Sequence, residues 1–379
     1  MTEAYLPRDN PAYLSQQLIT YLGNKRALLG PIDEMICQVR DALGGRRLDC
    51  ADLFSGSGVV ARLLKRHANT LYVNDLEGYS AVINRCYLTN REDFSGEAYA
   101  AAEVQARKAL ETPVAGIITR NYAPAEDDHI RPGERVFYTR QNAMTIDTLR
   151  AFIHRLEEPL QAYFLAPLLA EASVHNNTGG VFKGFYKDSA TGIGKFGGNG
   201  ENALPRILGP ITLQRPVLSD FSCRSYVTTQ DAGTLAGTLP PLDLVYLDPP
   251  YNQHPYGSNY FMLNLIAEDC LPEGISPVSG IPPDWKRSAY NKQAQALEAL
   301  ARLVSDLNSR FVLVSYNSEG FIRPEQLETM LKAVGRVTRR DISYHAYRAS
   351  RNLSGRSLYV QEYLFLVEKA ARGSLSQKI

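Results

Sequence analysis

The sequence lacks the features of a secreted, zinc-binding or membrane-spanning protein. Its five cysteines are scattered among 379 residues without a Cys-x-x-Cys pair, which indicates neither a disulfide framework nor a zinc site. No run approaches the roughly 20 apolar residues of a membrane helix. The N-terminus also has no basic-then-apolar signal pattern. We therefore expect a protein of the reducing cytoplasm.

Net charge is almost absent as well. Lysine and arginine number 41 against 40 acidic residues, which leaves a net charge of +1. The chain as a whole therefore has little electrostatic attraction for nucleic acid, and any DNA contact must come from local basic patches. Internal repeats and low-complexity tracts are missing too. The length allows either two cores or one large sheet domain with a sizeable insertion.

The clearest chemical feature is the segment 242–251, Leu-Asp-Leu-Val-Tyr-Leu-Asp-Pro-Pro-Tyr. Its apolar run predicts a buried parallel strand. That strand must end at Asp248 because Pro249 and Pro250 cannot donate hydrogen bonds to a ladder. In open α/β sheets, ligands bind at the carboxyl ends of strands. The Asp248 carboxylate and the Pro249 carbonyl could accept both hydrogens of an adenine amine while the Tyr251 ring stacks on the base. Alternatively, the tetrapeptide is only a turn after a strand.

Two earlier predicted strands also carry an acidic residue at or near their carboxyl ends. The apolar segment 48–54 leads into Ser-Gly-Ser-Gly at 55–58 and then a helical pattern, and small residues at such a turn let a ligand approach the backbone. Asp52 could bind the ammonium of an amino-acid moiety. Asp75 ends the next strand, at 71–75, where nucleotide-binding βαβ units hold ribose hydroxyls. A Walker loop is excluded, since no Gly-Lys-Ser/Thr follows. The series indicates an adenosine-containing cofactor.

Lys25 precedes a helical pattern over residues 26–43, which ends at two glycines. The free N–H groups and the dipole of a helix N-terminus favour anions. A ligand carboxylate could therefore be held there by the helix and the lysine together. The alternative is a helix-capping turn with a solvated lysine.

The alternation of strands and helices stops between about residues 95 and 215, where helical patterns at 97–110 and 146–172 are joined by loops. Within this stretch, residues 175–198 combine glycine and asparagine with aromatics and lysines. Such a loop suits contacts to base edges, base stacking and phosphates. The alternative is a surface loop that binds nothing.

Alternation returns with predicted strands at 225–231, 242–248 and 311–316, followed by a hairpin of strands 337–344 and 358–367. Residues 336–356 contain six arginines and a single acid, which indicates either a basic patch for nucleic acid or a solvated hairpin loop. We predict DNA contacts from basic residues of both segments: Lys183, Lys187, Lys195, Arg348, Arg351 and Arg356.

The motifs at 21–25 (Tyr-Leu-Gly-Asn-Lys), 52–58, Asp75 and 248–251, in that order, resemble those of the alpha-group (Dam-like) adenine-specific DNA methyltransferases of bacterial restriction–modification systems. The resemblance extends over nearly the whole chain. It implies a Rossmann-like, seven-stranded class I methyltransferase sheet whose last strand is antiparallel. It also implies a target-recognition domain inserted between the second and third strands. We therefore divide the chain into catalytic parts at 1–95 and 216–379 and a target-recognition insertion at 96–215.

The same resemblance implies S-adenosyl-L-methionine as methyl donor and double-stranded DNA as substrate. Tyr21 and Lys25 would contact the methionine end of the cofactor, Asp75 its ribose, and Asp231 the vicinity of its adenine. The full predicted cofactor-binding set is Tyr21, Lys25, Asp52, Phe54, Gly56, Gly58, Asp75, Asp231 and Asp248. The predicted catalytic set, which would hold an adenine flipped out of the duplex, is Asp248, Pro249, Pro250 and Tyr251. The methyl group would pass directly to the amine, with no metal and no covalent enzyme intermediate.

Three readings of function stay open on the residues alone. Asp248 favours an adenine in DNA or a base amine in RNA, whereas Asn at this position would favour a protein glutamine and Ser a cytosine amine. A protein amide is therefore the weaker alternative substrate. A DNA-binding module without catalysis is the third reading, and the complete motif set argues against it. A cognate endonuclease would be encoded separately.

Overall fold

A seven-stranded sheet forms the centre of the protein in the computed structural model, which describes residues 9–198, 202–345 and 359–370. The strands, in chain order, are β1 Leu48–Asp52, β2 Ala68–Asn74, β3 Arg224–Thr228, β4 Leu242–Leu247, β5 Ser309–Asn317, β6 Gly335–His345 and β7 Tyr359–Lys369. Their order across the sheet is β3-β2-β1-β4-β5-β7-β6.

Strands β1 to β5 pair in parallel, whereas β7 is antiparallel to both of its neighbours, β5 and β6. The predicted Rossmann-like sheet with an antiparallel last strand is therefore confirmed. From β1 the chain fills one side of the sheet with β2 and β3, and then the other side with β4 and β5. The order thus reverses between β1 and β4, and a reversal of this kind opens a ligand-binding crevice at the carboxyl ends of the two strands.

Helices surround the sheet and agree with most of the sequence patterns. The α-helices are α1 Pro11–Ser15, α2 Leu29–Ala42, α3 Val59–His67, α4 Gly78–Tyr87, α5 Gly96–Leu110, α6 Ile117–Tyr122, α7 Arg140–Ile153, α8 Leu160–Val174, α9 Leu204–Leu208, α10 Ala232–Ala236, α11 Tyr256–Asn259, α12 Phe261–Glu268, α13 Gln293–Asp306 and α14 Pro324–Lys332. Short 3₁₀ turns occupy Lys25–Leu28, Arg91–Asp93 and Ala289–Asn291. The single helical piece predicted at 146–172 is wrong: α7 and α8 are separate helices, because Pro159 disfavours helical backbone in the residue before it.

Side chains of β4 alternate between two hydrophobic clusters, one on each face of the sheet. Leu244 and Tyr246 pack with α2 and α3, whereas Val245 and Leu247 pack with α10, α13 and α14. A strand covered on both faces is stabilised by burial of its side chains, which explains why five of the six residues of β4, all except Asp243, are apolar or aromatic and buried. The sheet can therefore present Asp248 at a fixed position.

The helices of the predicted insertion share a third hydrophobic cluster with the catalytic part. Phe164 of α8 belongs to the same cluster as Tyr79 of α4 and Phe261 of α12. The segment 96–215 is therefore packed directly against helices that border the sheet, while its identity as a target-recognition domain stays a prediction. None of the helices in the described part of the chain combines the length and the apolar character needed to cross a membrane.

Candidate active site

An open cavity with about 670 Å³ of empty space lies at the crevice between β1 and β4. Part of this space is open to solvent. Six of the predicted site residues line it together: Tyr21, Phe54, Asp75, Asp231, Asp248 and Pro250. The structure thus brings the segment after β1 and the segment after β4 to one cavity.

The turn after β1 owes its shape to glycine. Gly56 and Gly58 have φ angles of +49° and +74°, which side chains of L-residues rarely adopt. A Cβ atom on Gly56 would lie 2.8 Å from the ring of Tyr21. The backbone N–H of Gly56 donates to Asp75 Oδ2 at 2.7 Å. Glycine therefore lets the turn, the tyrosine ring and the acid meet at the cavity.

Two acids after β2 line the cavity side by side. Asp75 accepts hydrogen bonds from Gly56 N–H and, through Oδ1, from Glu77 N–H at 2.9 Å. Burial raises the pKa of Asp75. Burial, together with the charge of Asp75, raises the pKa of Glu77 to about 7. Asn264 Nδ2 donates to Glu77 Oε2 at 2.6 Å. Sequence reasoning missed Glu77, although it stands two residues beyond the predicted acid.

Asp52 is almost completely buried at the end of β1, with 1% of its surface exposed. Its Oδ1 accepts from Phe54 N–H at 3.3 Å, whereas Oδ2 has no hydrogen-bond partner among the described residues. Burial, followed by repulsion from Asp248, raises the pKa of Asp52 well above its ordinary value. A buried carboxylate oxygen without a donor is unfavourable. A ligand ammonium is a group that could satisfy it.

Asp248, one of the predicted catalytic residues, is paired with Lys25. Lys25 Nζ lies 2.9 Å from Asp248 Oδ1, 3.1 Å from Glu362 Oε1 and 3.3 Å from the carbonyl of Gly23. Burial lowers the pKa of Lys25, but the two carboxylates outweigh burial and hold it well above the ordinary value. Burial raises the pKa of Asp248 to about 6, against the opposing effect of the lysine.

These three contacts match the three N–H donors of a lysine ammonium. Lys25 is 3% exposed and is not among the residues that line the cavity. Direct contact between Lys25 and the cofactor therefore stays a prediction, and the geometry favours support of Asp248 instead.

Glu362 is a site residue that sequence reasoning missed. It lies in the middle of β7 and is completely buried. Ser315 Oγ donates to its Oε1 at 2.6 Å and Asn317 Nδ2 donates to its Oε2 at 3.2 Å, both from β5. The only signal in the sequence was a single acid within the predicted strand 358–367, and its pairing with Lys25 depends on how the strands are ordered.

Tyr21 is held among other tyrosines at the cavity wall. Its ring stacks against Tyr256 and Tyr260, with centroid distances of 4.9 and 4.8 Å. In the segment after β4, Pro250 lines the cavity, while the carbonyl of Tyr251 accepts from Phe321 N–H at 2.9 Å. Pro249 is buried beside them. The roles of these residues toward a flipped base stay predictions.

The irregular segment 271–292 forms part of the cavity wall, which its sequence did not indicate because it has no helical or strand period. Tyr290 meets Phe54 edge to face at a centroid distance of 5.1 Å. Asn291 Nδ2 donates to the carbonyl of Asn252 at 2.9 Å. Four residues of the segment line the cavity: Lys286, Ser288, Tyr290 and Asn291.

The glycine-rich loop 175–198 lies beside the segment that follows Tyr251. Lys183 Nζ is 3.4 Å from Nδ1 of His254, and Phe182 N–H donates to the carbonyl of Asn259 at 2.7 Å. Lys183 and Lys187 are exposed and Lys195 is half-buried. Lys183 therefore lies beside the segment that follows the predicted catalytic residues, and Lys187 is exposed on the same loop.

The expectation that asparagine amides of this loop contact bases is wrong for Asn176 and Asn177, which are 2% and 0% exposed. The Asn177 amide donates to the carbonyls of Val136 and Lys195, both at 2.8 Å, so it shapes the loop itself. Of the other basic patch, Arg348, Arg351 and Arg356 lie outside the described residues.

Comparison with known proteins shows that this chain is similar to DNA methyltransferases. The family model for D12 class N6 adenine-specific DNA methyltransferases matches residues 21–197 and 209–330. Type II methyltransferase M.NlaIII of Neisseria lactamica is 28% identical over 363 residues, which cover 93% of this chain and 99% of that protein. Type II methyltransferase M.CviAII of Paramecium bursaria Chlorella virus 1 is 28% identical over 359 residues, with 92% and 98% covered.

Type II methyltransferase M.FokI of Planomicrobium okeanokoites is 27% identical over 368 residues, covering 92% of this chain; the chain spans about half of that longer protein, 52%. A crystal structure from Thermoplasma acidophilum matches 94% of this chain and 96% of its own with 8% identity and a TM-score of 0.32, a similarity too low to inform function.

Proposed function

The chain belongs to the D12 class of N6 adenine-specific DNA methyltransferases, and on this premise we propose that it transfers a methyl group from S-adenosyl-L-methionine to the N6 amine of an adenine flipped out of duplex DNA. The observation that carries the proposal is the shared cavity: Phe54 and Asp75, predicted for the cofactor, and Asp248, predicted for the base, all line it.

The residues of the cavity fit the chemical groups of this cofactor. Asp52, at the end of β1, is not among the residues that line the cavity, but its Oδ2 is a buried oxygen without a hydrogen-bond partner among the described residues and would suit the ammonium of the methionine moiety. Asp75 and Glu77 offer acceptors for ribose hydroxyls, and Phe54 with Tyr290 gives an aromatic wall. When bound, S-adenosyl-L-methionine supplies a methyl group on a positively charged sulfur, which keeps the carbon–sulfur electron pair when the methyl is taken by a nucleophile.

Asp248 and its neighbours would prepare the amine as that nucleophile. The adenine amine is a poor nucleophile because its lone pair is delocalised into the ring. Hydrogen bonds from its two N–H groups to the Asp248 carboxylate and the Pro249 carbonyl would turn the lone pair out of the ring plane, and Tyr251 would stack on the base. Flipping the base costs a few kcal/mol, which stacking and backbone contacts offset. The methylated nitrogen then releases one proton to solvent.

Site-specific DNA recognition would come from the insertion. The loop 175–198 borders the segment after Tyr251, and its lysines 183, 187 and 195 would contact phosphates. Two Type II methyltransferases align over nearly their full lengths. We therefore place this enzyme in a restriction–modification system, where it would protect host DNA from a cognate endonuclease encoded separately.

The direct test is transfer of labelled methyl groups to unmethylated genomic DNA, followed by sequencing of the modified bases. We expect N6-methyladenine at one short sequence, with DNA preferred over RNA in competition. Asp248→Ala should abolish transfer, and calorimetry on the same variant separates a loss of catalysis from a loss of cofactor binding. Asp243→Ala, at the opposite end of β4, is the matched control and should stay active. Label appearing only in RNA, or full activity of Asp248→Ala, would refute the proposal.

A further inference from the structure

We propose that Glu362 is a positioning residue of methyl transfer, which acts through Lys25 on Asp248; the inference rests on the proposed role of Asp248 toward the adenine amine. Glu362 belongs to the antiparallel strand β7 and is not among the residues that line the cavity. Among the described residues, a chain of contacts joins it to Asp248, from Glu362 Oε1 to Lys25 Nζ at 3.1 Å and from Lys25 Nζ to Asp248 Oδ1 at 2.9 Å.

The first effect of Glu362 is geometric. Lys25 is a flexible side chain, and its ammonium must be fixed if it is to orient one carboxylate. Glu362 cannot move, because Ser315 and Asn317 of β5 donate to its two oxygens at 2.6 and 3.2 Å. The sheet therefore holds Glu362, Glu362 holds Lys25, and Lys25 fixes Oδ1 of Asp248. A carboxylate anchored through one oxygen presents the rest of its acceptor capacity in a constant direction.

The second effect is electrostatic. A buried Lys25–Asp248 pair alone would be neutral, whereas one ammonium with two carboxylates keeps one net negative charge beside the cavity. Methyl transfer moves positive charge from the cofactor sulfur onto the amine nitrogen, next to Asp248. A fixed negative charge at that place stabilises the developing positive charge more than a neutral pair does. Glu362 thus prevents Lys25 from cancelling the charge that the reaction uses.

The titratable neighbours of this cluster come from several elements. Asp52 of β1 and Tyr246 of β4 face it from the sheet, and Tyr251 and Tyr256 follow from the segment after β4. Among the causes that act on Asp248, burial and Glu362 raise its pKa and Lys25 lowers it. Neutralising Glu362 therefore shifts the pKa of Asp248 downward from about 6, since one repulsive charge is removed while Lys25 stays.

The test is the variant Glu362→Gln, which keeps the size of the side chain and removes its charge. The matched control is Glu368→Gln on the same strand, where the glutamate forms exposed ion pairs with Arg336 and Arg310. We expect Glu362→Gln to lower the single-turnover rate of methyl transfer by roughly tenfold or more, while the Kd of cofactor and the KM for DNA change little. The acidic limb of its pH–rate profile should move to lower pH.

A second measurement does not depend on activity. Carbon-13 NMR of aspartate carboxyls, with Asp248 assigned by comparison with Asp248→Asn, should give a lower Asp248 pKa in Glu362→Gln than in wild type or Glu368→Gln. If Glu362→Gln does not fold, Ser315→Ala replaces it: this change releases Glu362 from β5 and should lower the rate in the same way but less. The inference would be overturned if Glu362→Gln had the same single-turnover rate and the same pH–rate profile as Glu368→Gln. A wild type that methylates no DNA would instead overturn the proposed function.

Discussion

Gly56 offers a sharp test of the cavity because a single methyl group there should disturb both backbone and cofactor site. In Gly56→Ala the new Cβ would lie 2.8 Å from Cε1, 3.0 Å from Oη and 3.1 Å from Cζ of the Tyr21 ring. That ring cannot easily retreat, because Tyr256 and Tyr260 stack against it. The φ angle of +49° adds backbone strain for any residue with a Cβ.

The size of the effect follows from these two terms. A left-handed alanine costs about 1–2 kcal/mol, and overpacking of a filled site typically adds about 1–3 kcal/mol. Gly56→Ala should thus lose about 2–5 kcal/mol of unfolding free energy, the sum of the two. Because Tyr21 lines the cavity, its displacement should also weaken cofactor binding by roughly tenfold, about 1.4 kcal/mol.

Gly44→Ala is the matched control, since Gly44 has φ of +76° but nothing within 4 Å of an added Cβ. Gly44→Ala should lose about 1–2 kcal/mol of unfolding free energy, from backbone strain alone. It should bind the cofactor with the same Kd as wild type. Urea unfolding measures the stability and calorimetry the cofactor Kd. If Gly56→Ala matched Gly44→Ala in both measurements, the contact between the glycine turn and Tyr21 would not support the cavity, and the reasoning would be refuted.

Three further predictions concern the cavity and the loop. The pKa of Glu77 is raised to about 7, so the folded protein holds this proton more tightly than the unfolded chain does. The resulting loss of stability builds up as the pH rises from the ordinary glutamate pKa of about 4.5 to about 7, so in urea unfolding Glu77→Gln should be more stable than wild type at about pH 8, with a smaller difference at about pH 5. Tyr290→Ala, which removes the edge-to-face partner of Phe54, should raise the cofactor Kd several-fold without changing affinity for DNA in the absence of cofactor, whereas an unchanged Kd would separate Tyr290 from the cofactor. Lys187 is exposed in the glycine-rich loop, and Lys187→Ala should weaken binding to all DNA sequences alike and reduce the salt dependence by about one phosphate contact; an altered recognition sequence would contradict a phosphate role.

The sequence predicted the sheet well because its signals are local. The central strands β1, β2, β4 and β5 were visible as short, mainly apolar runs, and the proline pair after Asp248 marked where β4 ends. The order of the motifs along the chain also predicted that Phe54, Asp75 and Asp248 belong to one site. In the structure, all three residues line the same cavity.

Tertiary structure alone decided which distant side chains touch. Glu362 meets Lys25 only because β7 inserts between β5 and β6, more than three hundred residues along the chain from the lysine. The segment 271–292 lines the cavity without any periodic pattern, and Asn177 folds its own loop instead of facing a base. Local propensity and hydrophobic period report the neighbours of a residue along the chain. The partners that satisfy a buried charge or amide are chosen by packing across the fold, and the sequence by itself does not encode that choice in any local pattern.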